Sequence, residues 1–405
     1  MKIHRLIAIL MGFWSLLGAA DLKPVSPPGA QIVGPYTPGL LAGKFLYVSG
    51  QGAKDGKGET PRTAAGQVRQ TLENVRSIVE AAGLTMEHVV YSQLYVTDAA
   101  AYDEVLAAWG EYFKDGGPAR GVIGVAKMPG DTPVEINAVA VTDLRLKRTV
   151  RVAGAGRSGN PPDAVVAGDR LFVSSCYGLD ASGRAPADSS VQTQLALDRM
   201  GAVLKAAGVV YDHLVFVNPY RTDSLRGGDM DRVYAKYFKF GDTPARATIN
   251  VAHLPHGANI AFSGVAVVNL ADRRSVRPKN MPPSATASPC VFAGDTLYCS
   301  AKSAFIPGPN QGIYASTVEH QVRQTMRNLL DGLEEAGMDL SNVVSTNVYL
   351  DDIQEFAKMN GVYATYFKTA PPTRTTVQQR APAERKPGEG DRWPMLEQIS
   401  LVAVK

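Results

Sequence analysis

The chain has 405 residues, 45% hydrophobic and 20% charged, with 42 Lys and Arg against 38 Asp and Glu. That balance excludes a disordered or collagen-like chain, and three cysteines exclude a cysteine-rich zinc scaffold or a disulfide-dense small domain. A dispersed net charge of +4 leaves no electrostatic footprint for nucleic acid, and at about 150 residues per domain the length accommodates two or three domains.

Residues 1–20 carry the layout of a secretory signal peptide. A short basic start (Lys2, Arg5) precedes the apolar run LIAILMGFWSLL and the small residues Gly18-Ala19-Ala20. The run is shorter than the roughly 20 residues a membrane span requires, and no later segment is apolar enough to span. The expectation is an exported chain, periplasmic or extracellular, beginning near Asp21. A buried or amphipathic N-terminal helix is the alternative.

A Pro-rich lead-in, 21–31 (DLKPVSPPGAQ), comes next. Gly39–Leu41 and Phe45–Ser49 flank Ala42-Gly43-Lys44 and read as a β-hairpin. Across 64–82, Val68, Leu72, Val75 and Val79 fall at helical spacing, with Gly83 placed to end the helix. Residues 88–96 (HVVYSQLYV) read as a strand, 99–113 as a helix with Val105, Trp109 and Tyr112 on one face, and 120–126 and 134–142 as two further strands. The order is ββαβαββ, an α+β unit with helices over one face of a mainly antiparallel sheet.

This unit recurs. Gln67-Val68-Arg69-Gln70-Thr71 returns letter for letter as Gln321-Val322-Arg323-Gln324-Thr325, an offset of 254. An offset near half of that sends Gln67 to Gln192, Leu72 to Leu197, Gly83 to Gly208 and Tyr95 to Tyr220. Tyr112-Phe113 returns as Tyr237-Phe238 and Tyr366-Phe367. Pro118-Ala119-Arg120 returns as Pro244-Ala245-Arg246 and Pro372-Thr373-Arg374. The chain therefore divides into three copies, 32–146, 147–272 and 273–405, joined by stretches rich in Pro, Gly and Arg that read as solvated linkers.

Gly34-Pro35-Tyr36, Val48-Ser49-Gly50-Gln51, Pro118-Ala119-Arg120 and Val134-Glu135-Ile136-Asn137-Ala138-Val139-Ala140 stand in the order and spacing of one family. They resemble the signatures of the Rid (YjgF/YER057c/UK114) family of reactive-intermediate deaminases. Tyr349-Leu350-Asp351-Asp352 and Met359-Asn360-Gly361-Val362-Tyr363 add to the resemblance in copy three. It extends over about residues 30–405 and is most dilute in copy two. It implies a chorismate-mutase-like fold and homotrimers with pockets between subunits, so three fused copies could form an intrachain pseudo-trimer, as a monomer or within a higher assembly. It also implies hydrolysis of small carboxylated enamines and imines, such as 2-aminoacrylate, without metal or organic cofactor.

By that resemblance Arg120 anchors the substrate carboxylate and Glu135 positions or activates water, with Tyr36 and Ser49 at the pocket wall. A guanidinium grips a carboxylate with two parallel hydrogen bonds, and a nearby carboxyl can exchange a proton at an imine. Arg120 and Glu135 lie 15 residues apart across an expected hairpin, and a cross-strand ion pair of little net energy is the competing account. Copy one departs from the family pattern at Val122, often cysteine in relatives, and at Leu106, usually asparagine. Copies two and three keep Arg246 and Arg374, possible secondary anion sites. They carry Ala261 and Gln398 in place of Glu135, unless a one-residue slip recruits Glu397, and Pro161 and Ala287 in place of Tyr36. The Arg120/Glu135 pocket is accordingly expected to be the working one, with its second wall from copy two or three.

His253 and His256 lack a third metal ligand at a convincing spacing. A turn at Gly294-Asp295 sets Cys290 opposite Cys299 as a non-hydrogen-bonded pair, close enough for a cross-strand disulfide. Two buried thiols are the alternative, and Cys176 is left over. Two functions follow: an exported imine deaminase of the 2-iminobutanoate/2-iminopropanoate type, or a non-catalytic module of the same fold binding a small carboxylate or a protein.

Overall fold

The computed structural model describes residues 21–30, 32, 34–113, 117–153, 161–279, 281–306, 314–368, 370–388 and 391–405; residues 1–20, expected as a signal peptide, lie outside them. Domain 1 consists of β1 (Lys23–Val25), β2 (Gly39–Ala42), β3 (Phe45–Gly52), α1 (Ala64–Ala81), β4 (Val89–Val96), α2 (Tyr102–Tyr112), β5 (Ala119–Gly124) and β6 (Val134–Val141). Domain 2 follows with β7 (Lys147–Val150), β8 (Ala164–Ala167), β9 (Arg170–Tyr177), α3 (Ser189–Ala207), β10 (Leu214–Arg221), α4 (Gly227–Tyr234), β11 (Ala245–Arg246), β12 (Ile249–Asn250) and β13 (Ile260–Val267). Domain 3 comprises β14 (Arg273–Val276), β15 (Cys290–Ala293), β16 (Thr296–Lys302), α5 (Val318–Glu335), β17 (Val343–Leu350), α6 (Phe356–Tyr363), β18 (Thr373–Gln378) and β19 (Glu397–Val404).

Each copy is the expected α+β unit, with one edge strand added in front. In domain 1 the sheet order is β1-β2-β3-β6-β4-β5, antiparallel except for the parallel pair β4–β5. Domain 3 repeats it as β14-β15-β16-β19-β17-β18. The lead-in thus supplies a strand: Lys23–Val25 pairs with Gly39–Leu41, and Pro24 is tolerated there because an edge strand bonds on one side only. The expected hairpin between 120–126 and 134–142 does not form. β5 and β6 lie on opposite sides of β4, because the return from α2 places β5 at the far edge, parallel to β4.

The helices form where capping and apolar spacing agree. Thr63 caps α1 by accepting from the Gly66 amide, and Val68, Leu72, Val75 and Val79 face the sheet. Gly83, at φ 77°, then turns the chain out of the helix. Asp188 and Thr317 cap α3 and α5 in the same way.

The opposite sheet faces turn inward on one another, and their core mixes all three domains. Leu40, Phe45 and Tyr47 pack with Val165 and Phe172 and with Val344 and Val404. Tyr95, Tyr220 and Tyr349, equivalent in the repeat, share a second cluster. A cavity of about 110 Å³, lined by tyrosines and asparagines of every domain, marks the centre. Around it β5 lies against β9, β11 against β16, and β18 against β3, which closes a ring of three interfaces on one chain.

Candidate functional site

One hydrogen-bonded clamp recurs at the three interfaces. The backbone amides of Arg120, Arg246 and Arg374 donate to the hydroxyls of Ser174, Ser300 and Ser49 of the next domain, at 2.9, 2.8 and 2.9 Å. Each serine in turn donates to a carbonyl on the segment before its own hairpin: Pro162, Ser288 and Thr37 respectively. Ser49 is therefore committed to backbone geometry at the junction with domain 3. Every arginine so presented also lies over an aromatic ring from the second helix of its own domain. The rings are Trp109 at 4.5 Å, Tyr234 at 5.1 Å and Tyr363 at 5.1 Å. In the sequence Trp109 had signalled only helix packing and Tyr363 only part of the copy-three motif, while Tyr234 carried no signal.

The interfaces differ in what faces the guanidinium. Between domains 3 and 1, Arg374 meets Tyr36, whose ring centroid lies 5.8 Å from its Cζ, and Glu135. Both charged residues are 6% exposed. No hydrogen bond or ion pair joins them, and Arg374 Nη1 is buried without a partner. Desolvation lifts the Glu135 carboxyl to about 8, against an opposing pull from Arg374. Glu135 is seated by Gly50, where a Cβ would overlap its carboxylate. Copy three carries an asparagine at the position of Leu106: Asn360 shares a helix face with Phe356 and Tyr363, the two α6 rings near the Arg374 guanidinium. Its Oδ1, like Thr376 Oγ1 two residues beyond Arg374, is buried without a hydrogen-bond partner.

Arg120 and Glu135 do not meet. Arg120 stands opposite Ser92 and Glu135 opposite Tyr95, on the two flanks of β4, so their Cα atoms are on the order of 14 Å apart from strand spacing and rise. Arg120 faces domain 2 instead, in a pocket of about 750 Å³ with Pro161, Ser175 and Tyr177. The expected pairing is thus corrected: the partner of Glu135 is Arg374, and domain 3 supplies the second wall. Between domains 2 and 3, Arg246 is held by Asp231 at 2.7 Å in a pocket of about 350 Å³ with Gln398.

Register identifies the equivalents of Glu135. Tyr95 pairs with Glu135, Tyr220 with Ala261 and Tyr349 with Gln398, so no slip recruits Glu397. Glu397 points the other way, into the domain 3 core, where it accepts from the Thr325 hydroxyl and burial lifts its carboxyl to about 8.

His253 contacts the Tyr102 hydroxyl through Nδ1 at 2.8 Å and the Thr97 carbonyl through Nε2 at 3.2 Å, which places it in the contact between domains 1 and 2. His256 packs edge-on against Tyr177. Cys290 lies directly opposite Cys299, with Cα atoms 4.0 Å apart and the sulfurs bonded, and Cys176 is a buried free thiol. Among the described residues no helix is long and apolar enough to cross a membrane.

Comparison with known proteins agrees with this architecture. The family model described as Endoribonuclease L-PSP matches three times, over residues 28–142, 159–268 and 278–385. A 2-iminobutanoate/2-iminopropanoate deaminase of Escherichia coli strain K12 is 39% identical over 113 residues, covering 27% of this chain and 88% of that protein. A RutC family protein of Pyrococcus horikoshii is 36% identical over 110 residues, covering 27% and 87%. Among solved structures, the YjgF gene product of E. coli matches at 36% identity over 30% of this chain and 99% of its own, with a TM-score of 0.29. A chorismatase crystal structure covers 78% of this chain and 93% of its own at a TM-score of 0.52 and 14% identity, a likeness of fold alone. With matches that together take in most of its length, the chain belongs to the Endoribonuclease L-PSP family of Rid (YjgF-like) proteins, as three tandem copies.

Proposed function

We propose that the chain is a Rid-type hydrolase that deaminates small 2-imino carboxylates at one site, built by Tyr36 and Glu135 of domain 1 and Arg374 of domain 3. The observation that carries this reading is the meeting of an unpaired, buried guanidinium with a buried carboxyl that no ion pair neutralises. A substrate carboxylate would complete Arg374 with paired hydrogen bonds, and Tyr36 would flank it. Glu135, held protonated near neutral pH by burial, is suited to donate to the imine nitrogen and then orient the attacking water. Water adds to C2, the C–N bond breaks, and ammonia and a 2-oxo acid leave. The relatives named 2-iminobutanoate/2-iminopropanoate deaminase support this substrate class.

The test is ammonia release from 2-iminobutanoate generated in situ. Arg374→Met and Glu135→Gln should each lower kcat/KM by about 100-fold or more, the scale of one lost anchoring or proton-transfer group. Arg120→Met should cost at least tenfold less than Arg374→Met. An equal or larger loss from Arg120→Met would overturn the assignment.

We further propose that residues 1–20 direct export. Processing at the boundary before Asp21, read by N-terminal sequencing of protein from the culture supernatant or periplasm, tests this. An intact Met1 on the purified native protein would refute it.

A further inference from the structure

The pocket between domains 1 and 2 has kept its anchor and lost its chemistry. Arg120 stands where Arg374 stands in the first site, stacked on Trp109, and no carboxylate among the described residues pairs with it. Apart from the arginine and the clamping serine, the positions that make the first site polar are changed. Ala261 stands in place of Glu135 and Pro161 in place of Tyr36. Leu106 takes the place of Asn360, and Val122 that of Thr376. Ser175 takes the place of Gly50, so its Cβ fills the space that the Glu135 carboxylate uses in the first site. What remains is Arg120 beside apolar walls from Leu106, Trp109, Pro161, Pro162 and Leu179, in a cavity of about 750 Å³ that Arg151 and Arg199 also line; its acids are engaged elsewhere, Glu111 with Arg69 and Asp163 with the Val152 amide. The domain 2–domain 3 pocket is less than half that size, and Asp231 already satisfies its arginine.

We propose that the domain 1–domain 2 pocket is a second binding site, for a monocarboxylate bearing an aromatic or bulky apolar body, which it holds without turnover. Arg120 takes the carboxylate, and the indole, leucine and proline surfaces take the body. Burial without an acidic neighbour pulls the Arg120 guanidinium down to about 10, so a bound anion would relieve the cost of holding that charge. The absence of any residue equivalent to Glu135 removes the proton-transfer group that hydrolysis needs. The inference rests on the equivalence of the pockets and not on turnover at the first site, so either can fail alone.

The test is calorimetric titration of the whole protein with phenylacetate, with phenylacetamide and acetate as controls. Phenylacetate should bind saturably at one site that survives Arg374→Met. Phenylacetamide, without the charge, and acetate, without the ring, should each bind at least tenfold more weakly. Arg120→Met should abolish binding. If that variant does not fold, Ser175→Glu should serve in its place, supplying Arg120 with an internal anion and weakening phenylacetate at least tenfold. Phenylacetate binding that is lost in Arg374→Met but kept in Arg120→Met or Ser175→Glu, or equal binding of acetate, would overturn the proposal.

Discussion

Gly50 shows how narrowly the first site is specified. Its equivalents are Ser175 and Ala301, so the β-bulge it sits in tolerates a side chain in two domains of three. Only in domain 1 does a carboxylate occupy the space above it. Gly50→Ala should therefore fold with near-wild-type thermal stability yet lose about 100-fold in kcat/KM, since a displacement of about 1 Å at a reacting group costs that much. Retained activity in a folded Gly50→Ala protein would show that Glu135 need not sit where it does. The residue types of the site were legible in the sequence, because a guanidinium, a carboxyl and a tyrosine at fixed intervals point to carboxylate chemistry. Their grouping was not. Its signal was the complementary loss in copies one and three: copy one keeps Glu135 and has Leu106, whereas copy three keeps Asn360 and has Gln398. Two half-eroded copies make one intact site only if they share it.

Among the elements, β4 accounts for most of what the sequence concealed. Helices and strand identities follow from periodicity and caps, and behind the added edge strand the ββαβαββ order is observed in domains 1 and 3 and, with its penultimate strand split into β11 and β12, in domain 2. The position of β5 depends on a parallel pairing that no local pattern encodes, and it separates Arg120 from Glu135. The strand β1 escaped for the opposite reason, because Lys-Pro-Val reads as linker until an edge is available to pair with.

On β19, Glu397 occupies the place of Val134 and Ile260, an acid inside an apolar layer. Its carboxyl titrates near 8 in the folded chain against an ordinary 4.5, so the folded state holds a proton that the unfolded state releases. Stability is therefore full below about 4.5 and declines as pH rises through 8, with Glu135 contributing in the same direction. Glu397→Val should raise stability at pH 8 by on the order of 1–3 kcal/mol and flatten roughly half of that decline. Thr325 can then turn to the Gln321 carbonyl as Thr71 does to Gln67. Urea denaturation across this pH range measures it, and an unchanged pH dependence would show that Glu397 is not buried in its acid form.

For the whole molecule, the ring of three interfaces leaves every arginine-bearing strand clamped by a serine of the same chain. A second copy is not required to complete a pocket, and light scattering should return the mass of one chain. A stable species of three chains would mean that the domains have exchanged between molecules. The three-copy count was legible from the repeat, and the sense of the ring was not. Nothing in the order of copies states that domain 1 gives its arginine forward to domain 2 and its glutamate backward to domain 3.

That directional sharing has a genetic consequence. In a ring of identical subunits a single codon alters all three pockets together, and no pocket can change alone. Here each pocket draws on two separately encoded copies. Mutation at codon 120 or 175 is felt in one chamber, and at codon 135 or 374 in another. Because each cavity is encoded by a different pair of copies, selection can act on one without altering its neighbours.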